Sequence, residues 1–267
     1  MAGSLDGRRV VLTGASSGIG REAAKMLAAR GARLALVARR ADRLQELAGE
    51  IDAVPLPADL SQRGAAVDLA ERAKRALGGV DVLVNNAGAS IQGLSWVVGD
   101  REEARSVFET NLWSPIALVA AVAPGMVERG EGVIVNTGSM ARVSPFPHLG
   151  HYAASRAAIA SITQTMQLEL GPRGVRVVEL ALGPVDTDSS RENRVLQGAA
   201  EWLDGRPGLG KVDEAAAALV RAVEGPAAGA VFYPGVMRWV DRFPGLGRRY
   251  ARGAARRADV TDTTVRA

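Results

Sequence analysis

The run Val10–Gly20, Val-Val-Leu-Thr-Gly-Ala-Ser-Ser-Gly-Ile-Gly, leaves this chain few folds to choose from. It opens as an apolar, β-branched stretch of the kind that runs buried through a parallel sheet. It then breaks at Gly14, Gly18 and Gly20, spaced G-x-x-x-G-x-G. The residues after it, Arg21 to Arg30, repeat apolar side chains at helical spacing, and Gly31 offers a C-terminal cap. Strand, glycine turn and helix in that order aim unbonded backbone N–H groups at an anion. Gly14 permits the tight turn, while Gly18 and Gly20 carry no Cβ to keep a pyrophosphate off the backbone. A turn without a ligand can have the same glycines; the flanking strand and helix favour the nucleotide.

The rest of the chain alternates strand and helix. Arg33 to Ala38 reads as a second strand, ending in Arg39-Arg40. A dinucleotide fold that grips a ribose 2′-hydroxyl carries a carboxylate there. Two guanidiniums attract the 2′-phosphate that a carboxylate repels, which favours NADP(H) over NAD(H). The alternative is a solvated pair opening the helix Ala41 to Glu50. After a third strand, Ala53 to Pro57, comes Asp59-Leu60, where Asp59 either meets an adenine amino group or caps a helix from Ser61 to Leu77. Val80 to Val84 runs into Asn85-Asn86-Ala87-Gly88, small residues on which a flat ring can lie. Asn85 reads as structural, tying strands through its amide; Asn86, Ala87 and Gly88 read as ligand neighbours.

Glu102 to Val127 reads as one long helix kinked at Pro115, with Asn111 just before the kink. Gly132 to Thr137 is a fifth strand ending at Gly138-Ser139. In the helix His151 to Leu170, Tyr152 and Arg156 share a face at i, i+4. Its alanines, with Ile159, Ile162 and Met166, form a seam suited to a second copy of the chain. Val175 to Leu180 is a sixth strand, closed by Gly183-Pro184-Val185-Asp186-Thr187. Residues 188–210, including Trp202, lack periodicity and read as a mobile lid. A helix from Val212 to Glu224 and a strand from Ala230 to Tyr233 complete the pattern. It predicts one α/β domain over residues 1–235, a Rossmann-like, doubly wound parallel sheet of seven strands with helices on both faces.

Taken together, Thr13-Gly14-Ala15-Ser16-Ser17-Gly18-Ile19-Gly20, Asn85-Asn86-Ala87-Gly88, Asn111, Ser139 and Tyr152 resemble the short-chain dehydrogenase/reductase family over about residues 5 to 235. The resemblance implies hydride transfer between a nicotinamide and a carbonyl or alcohol. It implies that Ser139 bonds the substrate oxygen, that Tyr152 gives or takes its proton, and that Asn111 holds a water in a proton relay. It places Gly183, Val185 and Thr187 against the nicotinamide and pyrophosphate, and implies a homodimer or homotetramer. Alone, Ser139 reads as a turn cap and Tyr152 as a packed amphipathic ring; it is their spacing behind the other motifs that sets those readings aside. The family pattern continues Tyr-x-x-x-Lys, and here Arg156 stands in the lysine position. Arginine keeps the positive charge a tyrosine acid needs, but its guanidinium is larger, planar and never deprotonated. Arg156 is therefore a working substitute, a weakened catalyst in a nucleotide-binding protein, or an introduced change. A second departure is Leu182-Gly183 where the family has Pro-Gly.

The remaining composition narrows the classes. The chain has no cysteine and two histidines, His148 and His151, which argues against disulfides, a thiol nucleophile and a metal site. Its net charge of +4 and pI near 9.9 come from arginines spread along the sequence; lysine occurs only at 25, 74 and 211. That distribution does not resemble a nucleic-acid surface. No apolar run reads as long enough to span a membrane and no signal peptide is evident, so the expectation is a cytoplasmic protein. Apolar and aromatic residues in the loops about 89–99, 140–151 and 188–210 point to a hydrophobic small-molecule substrate. Residues 236–257 form a basic, amphipathic extension with Trp239, Phe243, Leu246 and Tyr250 at helical steps. It reads as two short helices packing on the domain or across a dimer, with a substrate rim or membrane-surface contact as the alternative. Residues 258–267 read as disordered.

Overall fold

The computed structural model describes residues 5–144, 146–187, 210–226, 228–255 and 261–266. Among these, parallel strands β1 (Arg9–Thr13), β2 (Arg33–Ala38), β3 (Val54–Pro57), β4 (Val82–Asn85), β5 (Gly132–Ser139), β6 (Val175–Leu182) and β7 (Gly229–Tyr233) form one sheet. Their order is β3-β2-β1-β4-β5-β6-β7. The chain winds outward from β1 to β3, then crosses back to lay β4 on the other side of β1. This reversal opens a crevice beyond the carboxyl ends of β1 and β4, where doubly wound sheets bind their ligands.

The helices are α1 (Gly18–Ala28), α2 (Ala41–Ile51), α3 (Ala65–Leu77), α4 (Ser95–Val98), α5 (Glu102–Phe108), α6 (Ser114–Arg129), α7 (Gly150–Leu170) and α8 (Val212–Glu224), then α9 (Met237–Arg242) and α10 (Pro244–Ala255). Alternation along the strands sends side chains to two cores. Val10 and Leu12 of β1 pack with α1, α2 and α8, around Leu27, Leu44, Leu47 and Leu219. Val11 faces the other way, onto α3, α6 and α7, with Leu69, Leu118, Met126 and Met166. Burial on both faces explains why the strands read as continuous apolar runs.

Four boundaries differ from expectation in ways that shape the site. β5 and β6 run past Thr137 and Leu180 and stay paired as far as Ser139 and Leu182, which carries both residues to the crevice. α3 starts at Ala65 instead of Ser61, because Asp59 organises a separate turn ahead of it. The long kinked helix is α5, a π-helical turn at Glu109–Trp113, and α6. Pro115 lies in the first turn of α6; its ring crowds the carbonyl four residues back, that of Asn111, and the backbone answers by widening the turn there. Contrary to the sequence reading, Glu102–Arg129 is long and apolar enough to cross a bilayer by length and composition. Here 56% of its most apolar window is buried inside the domain, as in a core helix.

The expected lid at 188–210, with Trp202, lies outside the described residues except for Gly210. There the backbone pairs with Pro184 and Asp186 (2.9 Å each), so the two ends of that segment are pinned together. The extension forms two short helices as expected; of its apolar stripe the side chains of Leu246 and Tyr250 lie outside the described ones, and Trp239 and Phe243, with neighbouring Val236, are only partly covered by the domain. All three are about half exposed, and the two rings stack with centroids 6.2 Å apart. Of the stretch 258–267 expected to be disordered, 258–260 and 267 lie outside the described residues, while 265 and 266 are held in place. Arg266 pairs with Gln92 through two backbone hydrogen bonds (2.7 and 2.8 Å), and Val265 joins the cluster of Ile91, Val98, Ala104 and Val107. One apolar side chain with a cluster to enter, and an open backbone edge at Gln92, override a polar composition.

At the opposite end of the sheet, Asp81 accepts the backbone N–H of Arg9 (3.0 Å) and its Nε (2.8 Å). The Arg9 hydrogen bond holds the Asp81 carboxyl below the usual carboxylate range. A depressed folded-state pKa stabilises the protein above the unfolded value of about 4 and loses that contribution as pH falls through the folded one. Asp81→Asn is therefore expected to cost about 1–2 kcal/mol at pH 7 and less at pH 3, where the carboxyl of the unfolded chain is already mostly protonated. Urea denaturation at the two pH values checks this.

Candidate active site

The glycine turn is held closed by its neighbours. Thr13 Oγ1 accepts the backbone N–H groups of Asn86 and Ala87, both at 3.0 Å. Asn86 Nδ2 returns a bond to the Thr13 carbonyl (3.1 Å). A Cβ on Gly14 would lie 2.9 Å from the Ala87 Cα, and one on Gly20 would run into the Gly14 carbonyl. Gly18 sits at φ +52° with open space in front of it, bounded by Thr187 Cγ2 at 3.6 Å from its Cβ position. α1 begins there with no side-chain cap and no acidic residue in its first turn. This is a fit for a pyrophosphate: free N–H groups, a positive helix end, no competing carboxylate, and a cradle that side chains would fill. Ile19 packs onto the first core behind it.

The other sequence-predicted cofactor residues surround that turn. Arg40 donates to Ser16 Oγ from Nε (3.2 Å) and Nη2 (3.0 Å), and to Ser17 Oγ from Nη2 (2.6 Å). Arg39 is exposed beside it. Asp59 Oδ1 accepts from the Ser61 backbone N–H (3.0 Å) and hydroxyl (2.8 Å). Although partial burial raises its pKa, these bonds and the nearby Arg39 charge win, and the carboxyl lies below its ordinary value. Leu60 is buried, its carbonyl accepting from Ser114 Oγ (2.8 Å). Gly183 donates to the Tyr233 carbonyl (2.7 Å), and Val185 is buried against Gly210. Asn85 is structural: Nδ2 donates to Asn136 Oδ1 (2.8 Å), whose own Nδ2 reaches Thr163 (2.9 Å).

The candidate catalytic residues gather on α7, the π turn and the end of β5. The guanidinium carbon of Arg156 lies 5.2 Å from the centre of the Tyr152 ring. Its Nη1 donates to the Thr137 carbonyl (3.0 Å), and its Nη2 occupies the space a side chain at Gly88 would take. Its buried Nε has no protein partner among the described residues. Asn111 Oδ1 accepts the Ala89 N–H (2.9 Å), while Nδ2 donates to the Ala89 carbonyl (2.8 Å) and to Ser155 Oγ (2.9 Å). Ser155 in turn donates to the Tyr152 carbonyl (2.8 Å). Ser139 Oγ accepts the Ala141 N–H (3.2 Å), capping the short 3₁₀ turn Met140–Arg142. Of the histidines, His151 is tied to the Gly99 carbonyl (2.7 Å), and His148 takes a left-handed backbone, φ +65°.

A family model described as short chain dehydrogenase matches residues 8–197. The chain belongs to the short-chain dehydrogenase family. It is 35% identical over 216 residues to a fatty acyl-CoA reductase of Mycobacterium tuberculosis, covering 74% of this chain and 73% of that one. It is 37% identical to a short chain dehydrogenase of Pseudocercospora fijiensis over 70% of this chain, spanning 62% of the relative's length. Among solved structures, a short chain dehydrogenase from Burkholderia cenocepacia in complex with NADP superposes with a TM-score of 0.76 at 31% identity, covering 86% of this chain and 97% of that one. The protein is thus a short-chain dehydrogenase, an oxidoreductase of a family that works with NAD or NADP.

Some residues of this short-chain dehydrogenase site escape a sequence reading. Ser155 sits inside Tyr-Ala-Ala-Ser-Arg and bridges Asn111 to the Tyr152 backbone; its place between the two marked residues was the only signal. The other omission is an ion triad beside Ser139, buried at its Glu179 end. Glu179, 1% exposed on β6, lies 2.9 Å (Oε1) from Arg142 Nε, and Arg142 Nη2 lies 2.7 Å from Asp241 Oδ1 on α9. Burial pushes the Glu179 carboxyl up, against the pull of Arg142 and with help from the Asp241 charge. A lone glutamate in the apolar run Val-Arg-Val-Val-Glu-Leu was the available clue.

Proposed function

We propose that this protein is an NADPH-dependent reductase acting on the carbonyl group of a hydrophobic small molecule, with alcohol oxidation as the same chemistry in reverse. The observation that carries the reading is the Tyr152–Arg156 pair, set at the crevice beside an uncapped, carboxylate-free glycine turn. Bound in that turn, the dinucleotide supplies the hydride. Gly14, Ser16, Ser17, Gly18, Ile19 and Gly20 take the pyrophosphate side, and Asp59 and Leu60 the adenine. Asn86, Ala87 and Gly88 form the floor, and Gly183, Val185 and Thr187 flank the nicotinamide end. Arg39 and Arg40 face the 2′-phosphate, to which a guanidinium offers a planar fork of donors. Ser139 holds the carbonyl oxygen, and Tyr152 delivers the proton to it. A free tyrosine, with a pKa of about 10, is a poor acid at neutral pH unless a cation stabilises its anion. Arg156 supplies that charge and reaches for the ribose with its spare donors. Asn111 keeps the π turn and α7 in register and holds the relay water that completes proton supply.

Relatives and composition point the same way for the substrate. The mycobacterial relative is named for fatty acyl-CoA, and Ile91, Leu94 and Leu149 place buried apolar side chains in the loops near the crevice. Exposed Trp113 and Leu168, on the outer surfaces beside α6 and of α7, support self-association into a dimer or tetramer.

The test is spectrophotometric. Purified protein with NADPH should reduce some member of a panel of long-chain aldehydes, ketones and a fatty acyl thioester, and NADH should serve less well. Arg40→Ala is expected to weaken NADPH about 10- to 100-fold while changing NADH only a fewfold, a difference that fluorescence titration reads. A second reading has one observation behind it: the Arg156 guanidinium is engaged with Thr137 and, unlike an ammonium, cannot pass a proton on. If NADPH binds, nothing is reduced, and Arg156→Lys restores turnover, the natural site is a nucleotide-binding one with an impaired catalyst.

A further inference from the structure

The ion triad Glu179–Arg142–Asp241 joins three parts of the chain that meet around Ser139. On one side, the Glu179 carboxylate fills the space beside β5 where a side chain at Gly138, the residue before Ser139, would go: a Cβ there would lie 2.6 Å from Glu179 Oε1. Arg142 closes the turn that Ser139 opens, so the turn is held at its first residue by the Ser139–Ala141 hydrogen bond and at its last by the ionic attraction of Glu179, whose Oε1 lies close to Arg142 Nε but is not aligned for a hydrogen bond. Asp241 holds the other side of the same guanidinium. The helix that carries Asp241 also presents Met237, whose Cγ would lie 3.2 Å from a Cβ on Gly183, at the nicotinamide end of the crevice. The helix thus touches both walls of the site. Arg142 and Glu179 are 10% and 2% exposed in their side chains and Asp241 30%, so solvent screens these contacts weakly.

We propose that Arg142 is a positioning residue for Ser139, and that Asp241, from the C-terminal extension, acts through it to hold the turn 139–142 in its productive geometry. The extension is then a working part of the active-site wall. This rests on the assignment of Ser139 to the substrate oxygen. An error of about 1 Å in such a group costs up to about a hundredfold in rate.

Asp241→Asn is the discriminating variant, because the aspartate is the most exposed of the three and its loss leaves the buried Arg142–Glu179 pair intact. The full-length protein is compared with the wild type in NADPH affinity, in kcat and KM for a carbonyl the wild type reduces, and in backbone hydrogen exchange. The expected result is a fall in kcat of about tenfold, NADPH affinity unchanged, and faster exchange at 140–143 as well as at 237–243. Asp241→Glu, which keeps the charge, should recover most of the loss. The proposal is overturned if exchange rises only at 237–243 while kcat and KM stay within twofold. That result would make the triad a simple anchor for the extension. It is equally overturned if the double variant Arg142→Met/Glu179→Gln, which removes the buried charges together, folds and turns over like the wild type. Should the wild type reduce no carbonyl at all, the functional reading fails; exchange at 140–143 still decides whether Asp241 reaches the turn.

Discussion

Tyr152→Phe is expected to lower kcat by about 10²- to 10⁴-fold, the range in which a positioned acid contributes, while leaving NADPH affinity within about threefold. The variant is unusually clean here. The Arg156 guanidinium lies over the face of the ring, and phenylalanine offers the same face. The backbone carbonyl of residue 152 still accepts from Ser155, so the link to Asn111 persists. Only the hydroxyl is lost. Single-turnover measurement of reduced-nicotinamide absorbance, alongside a fluorescence titration of NADPH, separates proton delivery from binding. A kcat within fivefold of wild type would remove Tyr152 as the acid and leave the pair as packing.

The second large effect concerns the turn under the nucleotide. Gly20→Ala is expected to weaken dinucleotide binding by more than about a hundredfold and to destabilise the protein by about 2–3 kcal/mol, a fall in Tm of about 5–10 °C. The added methyl would lie 2.8 Å from the Gly14 carbonyl carbon and 2.7 Å from Asn86 Nδ2. The first of these is backbone and cannot swing aside. Either the helix leaves the turn or the turn opens, and both scatter the N–H groups that meet the phosphates. Gly18→Ala is the control. Its nearest neighbour is Thr187 Cγ2 at 3.6 Å, so it adds only the cost of a side chain at φ +52°. Calorimetry of the two variants with and without NADPH distinguishes clash from conformational cost.

The framework was legible because each element carries its own period. The strands are buried on both faces and read as unbroken apolar runs, and the helices between them repeat at 3.6 residues. The glycine turn was legible because its reason is local: three positions where no Cβ fits or is wanted. The position of Asn111 was marked by Pro115, but the π turn that aims it was not, since a proline in a helical pattern predicts a kink without saying how the backbone absorbs it. Of the triad only Glu179 left a trace, as one carboxylate in an apolar strand; the grouping could not be read. Its members come from three distant stretches, and only the sheet order, which sets Glu179 of β6 opposite Asn136 of β5, brings its side chain to Gly138. For the tail the sequence misled: its polar composition outweighed Val265, whose burial depends on a cluster formed by residues 91–107.

The pairing of Arg266 with Gln92 has a practical corollary. A polypeptide joined beyond Arg266, whether an affinity tag, a fluorescent fusion or a surface linker, would load the pairing with Gln92 and, through it, the segment whose Ala89 bonds Asn111. Leu5 and Gly7, by contrast, sit near Gly31 at the amino ends of the strands, across the sheet from the crevice. Attachment ahead of Leu5 would bear on the end of the sheet away from the crevice, so kinetic constants taken from the two formats should not be pooled.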